Sequence, residues 1–214
     1  LGVARELAEK TGEKVGAILL GHNVKAKAND LIAHGADEVH VVDDALLASY
    51  VTEPYAQAVT AIAKAYEPSV LMFGATSIGR DLAPRLSARL KTGLTADCTK
   101  LEMDEEGNLF MTRPAFGGNL FATIICPDHR PQMSTVRPGV MKKLERDDAR
   151  EGEIVEETIA WDESKFAVTV IEEVRECVSC GQIENAKILV SCGRGVKDIA
   201  PARELASKVG GSVA

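Results

Sequence analysis

Residues 70 to 90, VLMFGATSIGRDLAPRLSARL, decide the fold class of this 214-residue chain. The apolar run Val70–Phe73 predicts a short buried strand. Thr76 or Ser77 can cap the helix that follows, and leucines at 82, 86 and 90 recur at helical spacing, which predicts one face packed on a sheet. A buried strand leading directly into an amphipathic helix is typical of a parallel α/β unit.

Two residue types within this helix carry local predictions of their own. Asp81 and Arg85 lie one turn apart and are predicted to form an ion pair on the exposed side. Pro84 is tolerated only in the first turn of a helix, so the helix is predicted to begin close to it or to bend there.

The residues before this stretch repeat the alternation of helix and strand. The pattern predicts a helix over 1–10, a strand over 15–20, a helix over 26–34, a strand over 38–42, and a helix from Thr52 to about Glu67. This order predicts a parallel sheet with right-handed crossovers. Its first strand should precede the first helix, so we expect a strand from residues before Leu1.

After Leu90 the pattern changes to consecutive strands with short connections. Strands are predicted over 95–103, 108–113, 120–126 and 132–136, with an acidic Gly-containing turn at 104–107. Short connections favour an antiparallel extension rather than another helix crossover. Residues 142–157 are highly charged and are predicted to be a linker or exposed arm, and residues 161–174 regain strand character.

The last stretch, KILVSCGRGVKDIAPARELASKVGGSVA (187–214), predicts a second α/β unit. It contains a buried strand at 188–190, a Gly-rich turn, an amphipathic helix over 199–209 and the start of another strand. We therefore divide the chain into an N-terminal α/β domain (1–174), a linker (175–186) and the beginning of a second domain (187–214).

Composition excludes several classes of partner. The net charge is -7 and aromatic residues make up 4%, which argues against binding of nucleic acid or an anionic membrane surface. No apolar run approaches the roughly 20 residues that cross a bilayer, so no membrane insertion is predicted. Five cysteines at irregular spacing are typical of a reducing compartment, which predicts a cytoplasmic protein.

Four stretches contain an arginine beside residues that favour tight turns: 74–85, 113–119 (with Arg113), 134–139 (with Arg137) and 191–196 (with Arg194). Taken singly, each is typical of a capped surface helix or a solvated loop. The spacing of Gly193 and Gly195 does not match the dinucleotide-binding fingerprint. That the first three of these stretches carry such an arginine within one domain argues against reading each as an unrelated surface turn.

Cys177 and Cys180, with Cys192 downstream, raise the hypothesis of a metal or redox site. A tetrahedral zinc site needs four ligands, and neither a second Cys-x-x-Cys nor a local His pair exists, so we set the chance of a metal at about one in ten. The prediction is that no metal binds.

In order, GATSIGRDLAPRLSARL, RPAFGGN, TVRPGV and ILVSCGRGVKD…ELASKVGGSVA resemble the α subunit of electron-transfer flavoproteins over nearly the whole chain. The resemblance implies an N-terminal α/β domain followed by only the first strand, turn and helix of an FAD domain. It also implies a heterodimer with a β subunit, an electron carrier rather than a substrate-converting enzyme, and a bacterial or archaeal source. An acyl-CoA dehydrogenase-type flavoenzyme would exchange electrons with it.

The resemblance also implies roles for particular residues. Arg194, flanked by Gly193 and Gly195, would contact FAD, since a fixed guanidinium can pair with phosphate or with the charge of a reduced flavin. TVRPG is similar to the flavin-bifurcating branch, in which Arg137 would lie against a second FAD held by the β subunit and NADH could be the donor. The Ser77–Arg85 and Arg113–Asn119 stretches would then be candidates for the subunit interface.

Two alternatives remain open from the sequence. The first is an adenine-nucleotide-binding α/β module without a redox role, which would be colourless where a flavoprotein is yellow. The second is a thiol or metal redox protein that uses Cys177 and Cys180, which metal analysis and Cys→Ser changes would identify.

Overall fold

The computed structural model describes residues 1–174, 183 and 186–214. It contains two compact units, Leu1–Val170 and Ile171–Ala214. The predicted linker at 175–186 falls almost entirely outside the described residues, so the linker and the predicted boundary at residue 174 stay predictions.

The first unit alternates helices and strands as far as its fourth helix and then continues as strands. Its helices are α1 (Gly2–Thr11), α2 (Ala28–Ala33), α3 (Thr52–Tyr66) and α4 (Ser77–Leu90). Its strands are β1 (Gly16–Gly21), β2 (Glu38–Asp43), β3 (Val70–Gly74), β4 (Leu94–Cys98), β5 (Lys100–Met103), β6 (Leu109–Ala115), β7 (Leu120–Ile124), β8 (Gln132–Val136) and β9 (Glu153–Glu156). Short 3-10 helices lie at Lys25–Lys27, Ala45–Leu47, Phe116–Gly118 and Glu163–Lys165.

These strands form three sheets of three strands each. The first parallel sheet has the order β1-β2-β9, and the second has the order β3-β8-β4. Strands β5, β6 and β7 form an antiparallel sheet. The predicted fold class, a parallel α/β domain with an antiparallel extension, is confirmed.

The core lies where the helices cover the two parallel sheets. Leu82 and Leu86 of α4 are buried with Ala56 and Val59 of α3, and they pack on Leu71 of β3. The predicted helical face of leucines is thereby confirmed. Side chains of β1 also pack against this cluster, so α3 and α4 stabilise both parallel sheets through one apolar contact.

Strands β4 and β8 correct the prediction for the region after Leu90. They were predicted to be part of the antiparallel extension, but both pair in parallel within the second sheet, and β8 lies between β3 and β4. Four of the five residues of β8 are fully buried, which is typical of a central strand covered on both faces. The extension is therefore a crossover between β4 and β8, built from strands instead of a helix.

Two further predictions in this region were wrong. Residues 142–157 are not a linker throughout, because Glu153–Glu156 pairs in parallel with β2 at the edge of the first sheet. Because an edge strand tolerates charged residues, the charged composition of this segment did not indicate a strand. Residues 161–174 contain no strand in the described structure; Trp161 instead packs near the core and donates a hydrogen bond from Nε1 to Asp44 Oδ2 at 3.0 Å.

Helix α4 begins where the sequence predicted, but Asp81 and Arg85 have partners other than each other. Thr76 Oγ1 accepts a hydrogen bond from the Gly79 N–H at 3.2 Å, which confirms the cap. The helix begins well before Pro84 and continues through it. Arg85 pairs with Glu53 at 2.6 Å, and Asp81 accepts hydrogen bonds from Tyr50 and Thr52. Partners on neighbouring elements thus replace the partner one turn away.

The second unit contains a strand, a turn, a helix and a strand. Strand β10 (Leu189–Val190) pairs in parallel with β11 (Ser212–Val213), and α5 (Ala200–Val209) connects them. Gly210 ends α5 in the left-handed conformation. Across the described parts of both units, every helix is too short or too polar to cross a bilayer.

Candidate functional site

Arg137 leaves the carboxyl end of β8 and is fixed by a carboxylate from the neighbouring strand. Its Nε donates to Asp97 Oδ1 at 3.0 Å, and its Nη2 donates to Asp97 Oδ2 at 2.6 Å. This two-bond contact orients the plane of the guanidinium group. The Arg137 side chain remains 42% exposed, so its other face is available to a partner.

Asp97 reaches this position because β4 is irregular there. Between Thr95 and Cys98, three steps along β4 match two steps along β8, so the strand contains a bulge. Asp97 has a φ of +62°, in the left-handed region that few residues other than glycine adopt. Its N–H donates to Thr135 Oγ1 at 2.8 Å, which holds the bulge against β8.

Two further arginines lie around the same carboxylate. Arg80 Nη2 is 3.7 Å from Asp97 Oδ1, and the charge of Arg113 also acts on Asp97. The hydrogen bond from Arg137, and then the charges of Arg137, Arg80 and Arg113, keep the pKa of Asp97 below its usual range although burial opposes this. Two guanidinium groups therefore pair with one carboxylate and a third acts on it through its charge, and we call these four residues the arginine cluster.

Two hydrogen-bond donors of the arginine cluster have no acceptor among the described residues. The Nε of Arg113 is buried and has no hydrogen-bond partner among the described residues. Arg137 Nη1 likewise has no acceptor in the part of the chain that the structure describes. The start of α4 lies at the same edge of the sheet, since the Ala75 N–H donates to the Val136 carbonyl at 2.7 Å. An electron-rich or anionic group is the ligand that such an excess of donors fits.

A cleft of about 640 Å³ opens beside Arg137. Gly74 and Thr76 line it from the end of β3, and Leu1, Leu31 and Leu144 contribute apolar surface. The cleft therefore lies at the carboxyl end of parallel strands, where open α/β sheets bind ligands.

Arg194 lies in the second unit, on an exposed turn after β10. The Val196 N–H donates to the Gly193 carbonyl at 3.0 Å, which closes the turn. The Arg194 side chain makes no hydrogen bond or ion pair with the residues that the structure describes. Neither Gly193 nor Gly195 has a left-handed φ, and no described atom lies within 4 Å of a Cβ added at either position.

Neither backbone conformation nor lack of space within the described chain therefore explains why positions 193 and 195 are glycine. Glycine at such a position is typical of a backbone that a ligand approaches closely. The turn fits the predicted coenzyme contact of Arg194 on these grounds. Arg80, Arg113 and Arg137, from three of the stretches that the sequence singled out, lie around Asp97, whereas Arg194 belongs to the other unit.

Asp97 is the member of the cluster that the sequence did not reveal. Its neighbours Thr95 and Cys98 made the region read as an ordinary strand. The only signal was the residue type itself, because aspartate is depleted in strand interiors and tolerates left-handed backbone.

A second anion-binding arrangement, in the turn after β1, is already filled by the chain. Asp43, at the end of β2, accepts hydrogen bonds from the N–H groups of Asn23, Val24 and Lys25 at 2.7, 3.0 and 3.3 Å. In α/β folds, backbone amides that follow a parallel strand can hold phosphate. Here the Asp43 carboxylate occupies these donors.

The loop between β6 and β7 and the first residues of β7 expose apolar side chains next to β6, the strand that contains Arg113. Phe116 is 82% exposed, Phe121 69% and Leu120 59%. Exposed apolar side chains grouped in this way are typical of a protein interface. The Arg113–Asn119 stretch therefore remains a candidate for contact with another subunit.

The described residues contain no group of three or more His, Cys, Asp or Glu side chains that could hold a metal. Cys98, Cys126 and Cys192 are free thiols, and burial raises the pKa of Cys98 to about 11. Cys177 and Cys180 lie outside the described residues, so the Cys-x-x-Cys hypothesis is not tested.

Comparisons with known proteins agree on one family. The family model described as "Electron transfer flavoprotein domain" matches residues 1–161. The chain is 53% identical over 216 residues to "Electron transfer flavoprotein subunit alpha" of Thermoanaerobacterium thermosaccharolyticum, covering 100% of the chain and 66% of that relative.

Two further relatives have names that mention electron transfer or a redox reaction. "Acryloyl-CoA reductase electron transfer subunit beta" of Anaerotignum propionicum is 43% identical over 231 residues, covering 96% of the chain and 63% of the relative. "Lactate dehydrogenase (NAD(+),ferredoxin) subunit LctC" of Acetobacterium woodii is 41% identical over 217 residues, covering 100% of the chain and 52% of the relative. The chain spans about two thirds or less of the length of these three relatives.

Proposed function

This chain belongs to the electron transfer flavoprotein family, and on that premise we propose that it acts as the α subunit of an electron carrier. In this proposal it forms a heterodimer with a β subunit, binds FAD and carries electrons between dehydrogenases. The flavin supplies the redox chemistry when it is bound, and the chain positions it and sets its electrostatic surroundings.

Arg194 is proposed to contact the FAD of the C-terminal domain, with Gly193 and Gly195 allowing close approach. Its exposed side chain, which has no partner among the described residues, supports this role. A guanidinium group there can pair with a phosphate or with the negative charge that a flavin gains on reduction.

Arg137 is proposed to lie against a second FAD, held by the β subunit, in a complex that bifurcates electrons from NADH. The single observation that carries this proposal is the arginine cluster, in which Asp97 fixes Arg137 and the charges of Arg80 and Arg113 act on the same carboxylate. A fixed cation beside the flavin favours the forms with added negative charge, and so raises the reduction potential.

The dehydrogenase partner is proposed to be a flavoenzyme of the acyl-CoA dehydrogenase type. A relative named as an electron transfer subunit of acryloyl-CoA reductase supports a partner that acts on an acyl-CoA. The exposed Phe116, Leu120 and Phe121 offer apolar surface for the β subunit. A cytoplasmic location in a bacterium or archaeon is part of the proposal, and the bacterial relatives support the source.

The alternative, an adenine-nucleotide-binding module without a redox role, is less well supported. The turn after β1 is one place where such a module could bind phosphate, and its N–H donors are taken by Asp43. The observation favours the electron carrier over the nucleotide module for this domain.

The test is to express the full-length α subunit together with its β subunit and to measure flavin content and potential. We expect a yellow heterodimer with two FAD, and a more negative potential for one of them in Arg137→Ala, because a fixed cation beside it has been removed. Arg146→Ala is the matched control, since Arg146 is a surface arginine paired with Asp30 and Asp148.

Each result has a defined meaning. One FAD per heterodimer would indicate an ordinary carrier, and a colourless protein that binds AMP would support the alternative. An unchanged potential for both flavins in Arg137→Ala would remove Arg137 from the flavin site.

A further inference from the structure

Asp97 is the only carboxylate of the arginine cluster, and its contacts give it a function beyond local charge balance. We propose that Asp97 is a positioning residue, which holds the Arg137 guanidinium in the orientation that it needs to act on the flavin. This inference rests on the proposed role of Arg137 and extends it to the residue that controls that role.

The hydrogen bonds divide the donors of Arg137 into two sets. Asp97 binds Nε and Nη2, which form one edge of the planar group. Arginine has five N–H donors in a rigid arrangement, so Nη1 remains directed away from this edge. A ligand can therefore bind the outer edge of Arg137 without breaking its contact with Asp97.

The backbone of Asp97 indicates that this contact is maintained against strain. A residue other than glycine in the left-handed region costs about 1 kcal/mol or more, and such residues cluster at functional sites. Two hydrogen bonds hold the bulge in place: the Asp97 N–H donates to Thr135 Oγ1 at 2.8 Å, and the Arg137 N–H donates to the Cys98 carbonyl at 2.9 Å. The bulge thus links the end of β4 directly to the start of the Arg137 turn.

Repulsion within the cluster explains why the position of Arg137 depends on Asp97. Arg80 and Arg113 lie near the same carboxylate, and three guanidinium groups without it would repel one another. Arg137 is half-exposed at the end of its strand, so it can rotate into solvent. Arg80 is more exposed, but its Nε also donates to the Ala75 carbonyl at 3.0 Å, which holds it in place. Removing the carboxylate is therefore expected to release Arg137 from its site.

The sign of the change in potential separates positioning from a simple charge effect. If Asp97 acted only through its charge, Asp97→Asn would make the surroundings more positive and raise the potential of the flavin. If Asp97 positions Arg137, the same substitution lowers the potential, as Arg137→Ala does, because the cation leaves. Asparagine tolerates the left-handed conformation about as well as aspartate, so the bulge is retained.

The experiment uses the full heterodimer with its flavins, measured by spectroelectrochemical titration. We expect Asp97→Asn to shift the potential of one flavin to a more negative value by less than Arg137→Ala does. In the double variant, adding Asp97→Asn to Arg137→Ala should not lower the potential further, and loss of the carboxylate charge should make it equal to or slightly more positive than that of Arg137→Ala. Asp81→Asn is the matched control, because Asp81 loses the same charge but contacts Tyr50 and Thr52.

A second variant keeps the proposal testable if Asp97→Asn fails to assemble. Thr135→Val removes the acceptor for the Asp97 N–H and should shift the potential in the same direction by a smaller amount. A potential that is unchanged or more positive in Asp97→Asn, while Arg137→Ala is more negative, would overturn the role of Asp97 alone. An unchanged potential in Arg137→Ala would overturn both this inference and the proposed role of Arg137.

Discussion

At the scale of single residues, the sequence predicted the cations of the site but not the carboxylate that organises them. Arg137 and Arg113 stand beside Pro and Gly, which mark turns where a side chain becomes exposed. Asp97 acts through a bulge, and a bulge depends on how two strands pair. Pairing between distant strands leaves no local pattern in either strand, so this part of the site required the structure.

Asp43 gives a prediction at this scale. Asp43→Ala removes one acceptor from three backbone N–H groups, at Asn23, Val24 and Lys25, and should lower the free energy of unfolding by about 2 kcal/mol. Urea denaturation of the variant and the wild type measures the difference. Asp128→Ala is the control, because Asp128 is exposed and no described hydrogen bond or ion pair involves it. Equal stability in the two variants would contradict a structural role for Asp43.

At the scale of elements, the helices and the strands between them were predicted well, because each carries its own apolar period. Strand β8 was predicted as a strand but not as a parallel partner of β3 and β4, and β9 was not predicted. Strand β8 (Gln132–Val136) contains polar residues that are satisfied inside the sheet, such as Gln132, whose Oε1 accepts from the Leu109 N–H at 2.7 Å. Strand β9 (Glu153–Glu156) lies at an edge, where charge is tolerated. The composition of these segments could not predict that β8 is a buried central strand or that β9 is an edge strand.

Helix α4 provides a prediction about the contact between a helix and a strand. A Cβ added at Gly79 would lie 1.8 Å from the Gly74 carbonyl oxygen, so Gly79→Ala forces the first turn of α4 away from β3. We expect the free energy of unfolding to fall by about 2 kcal/mol, as is usual for overpacking. Thermal or urea unfolding measures this.

Gly16→Ala is the matched control for this substitution. Its Cβ would meet nothing closer than 3.8 Å, at the His40 ring, and Gly16 has no left-handed φ. If Gly16→Ala were as destabilising as Gly79→Ala, close approach of α4 to β3 would not be the cause.

At the scale of the whole molecule, buried or half-buried carboxylates join separate elements and make stability depend on pH. Burial raises the pKa of Glu53, but hydrogen bonds from Arg89, Gln57 and Arg85 more than offset this and lower it to about 2. Asp37 is held below its usual pKa in a similar way, by the Val15 N–H, Arg5 and Arg150 against the effect of burial. These contacts connect α3 to α4 and α1 to β2.

A carboxyl group with a lowered pKa in the folded state stabilises the protein above its unfolded pKa. The contribution of Glu53 is therefore complete above about pH 5 and is lost as the pH falls from its usual pKa of 4.5 towards 2. Wild type should lose more stability between about pH 6 and pH 3 than Glu53→Gln does, measured by urea unfolding at both values.

Glu9→Gln serves as the control for the acid response, because Glu9 is exposed and no described contact involves it. It should follow the wild-type dependence on pH. An identical dependence in Glu53→Gln and the wild type would show that the Glu53 contacts do not contribute to the loss of stability in acid.

The Asp43 carboxylate in the turn after β1 has a practical consequence for chemical biology. A phosphate-bearing probe that reached this turn would meet a negative side chain already bonded to the amides that it needs. Small-molecule screening against this chain is better directed to the arginine cluster, where positive charge outnumbers negative and donors remain open.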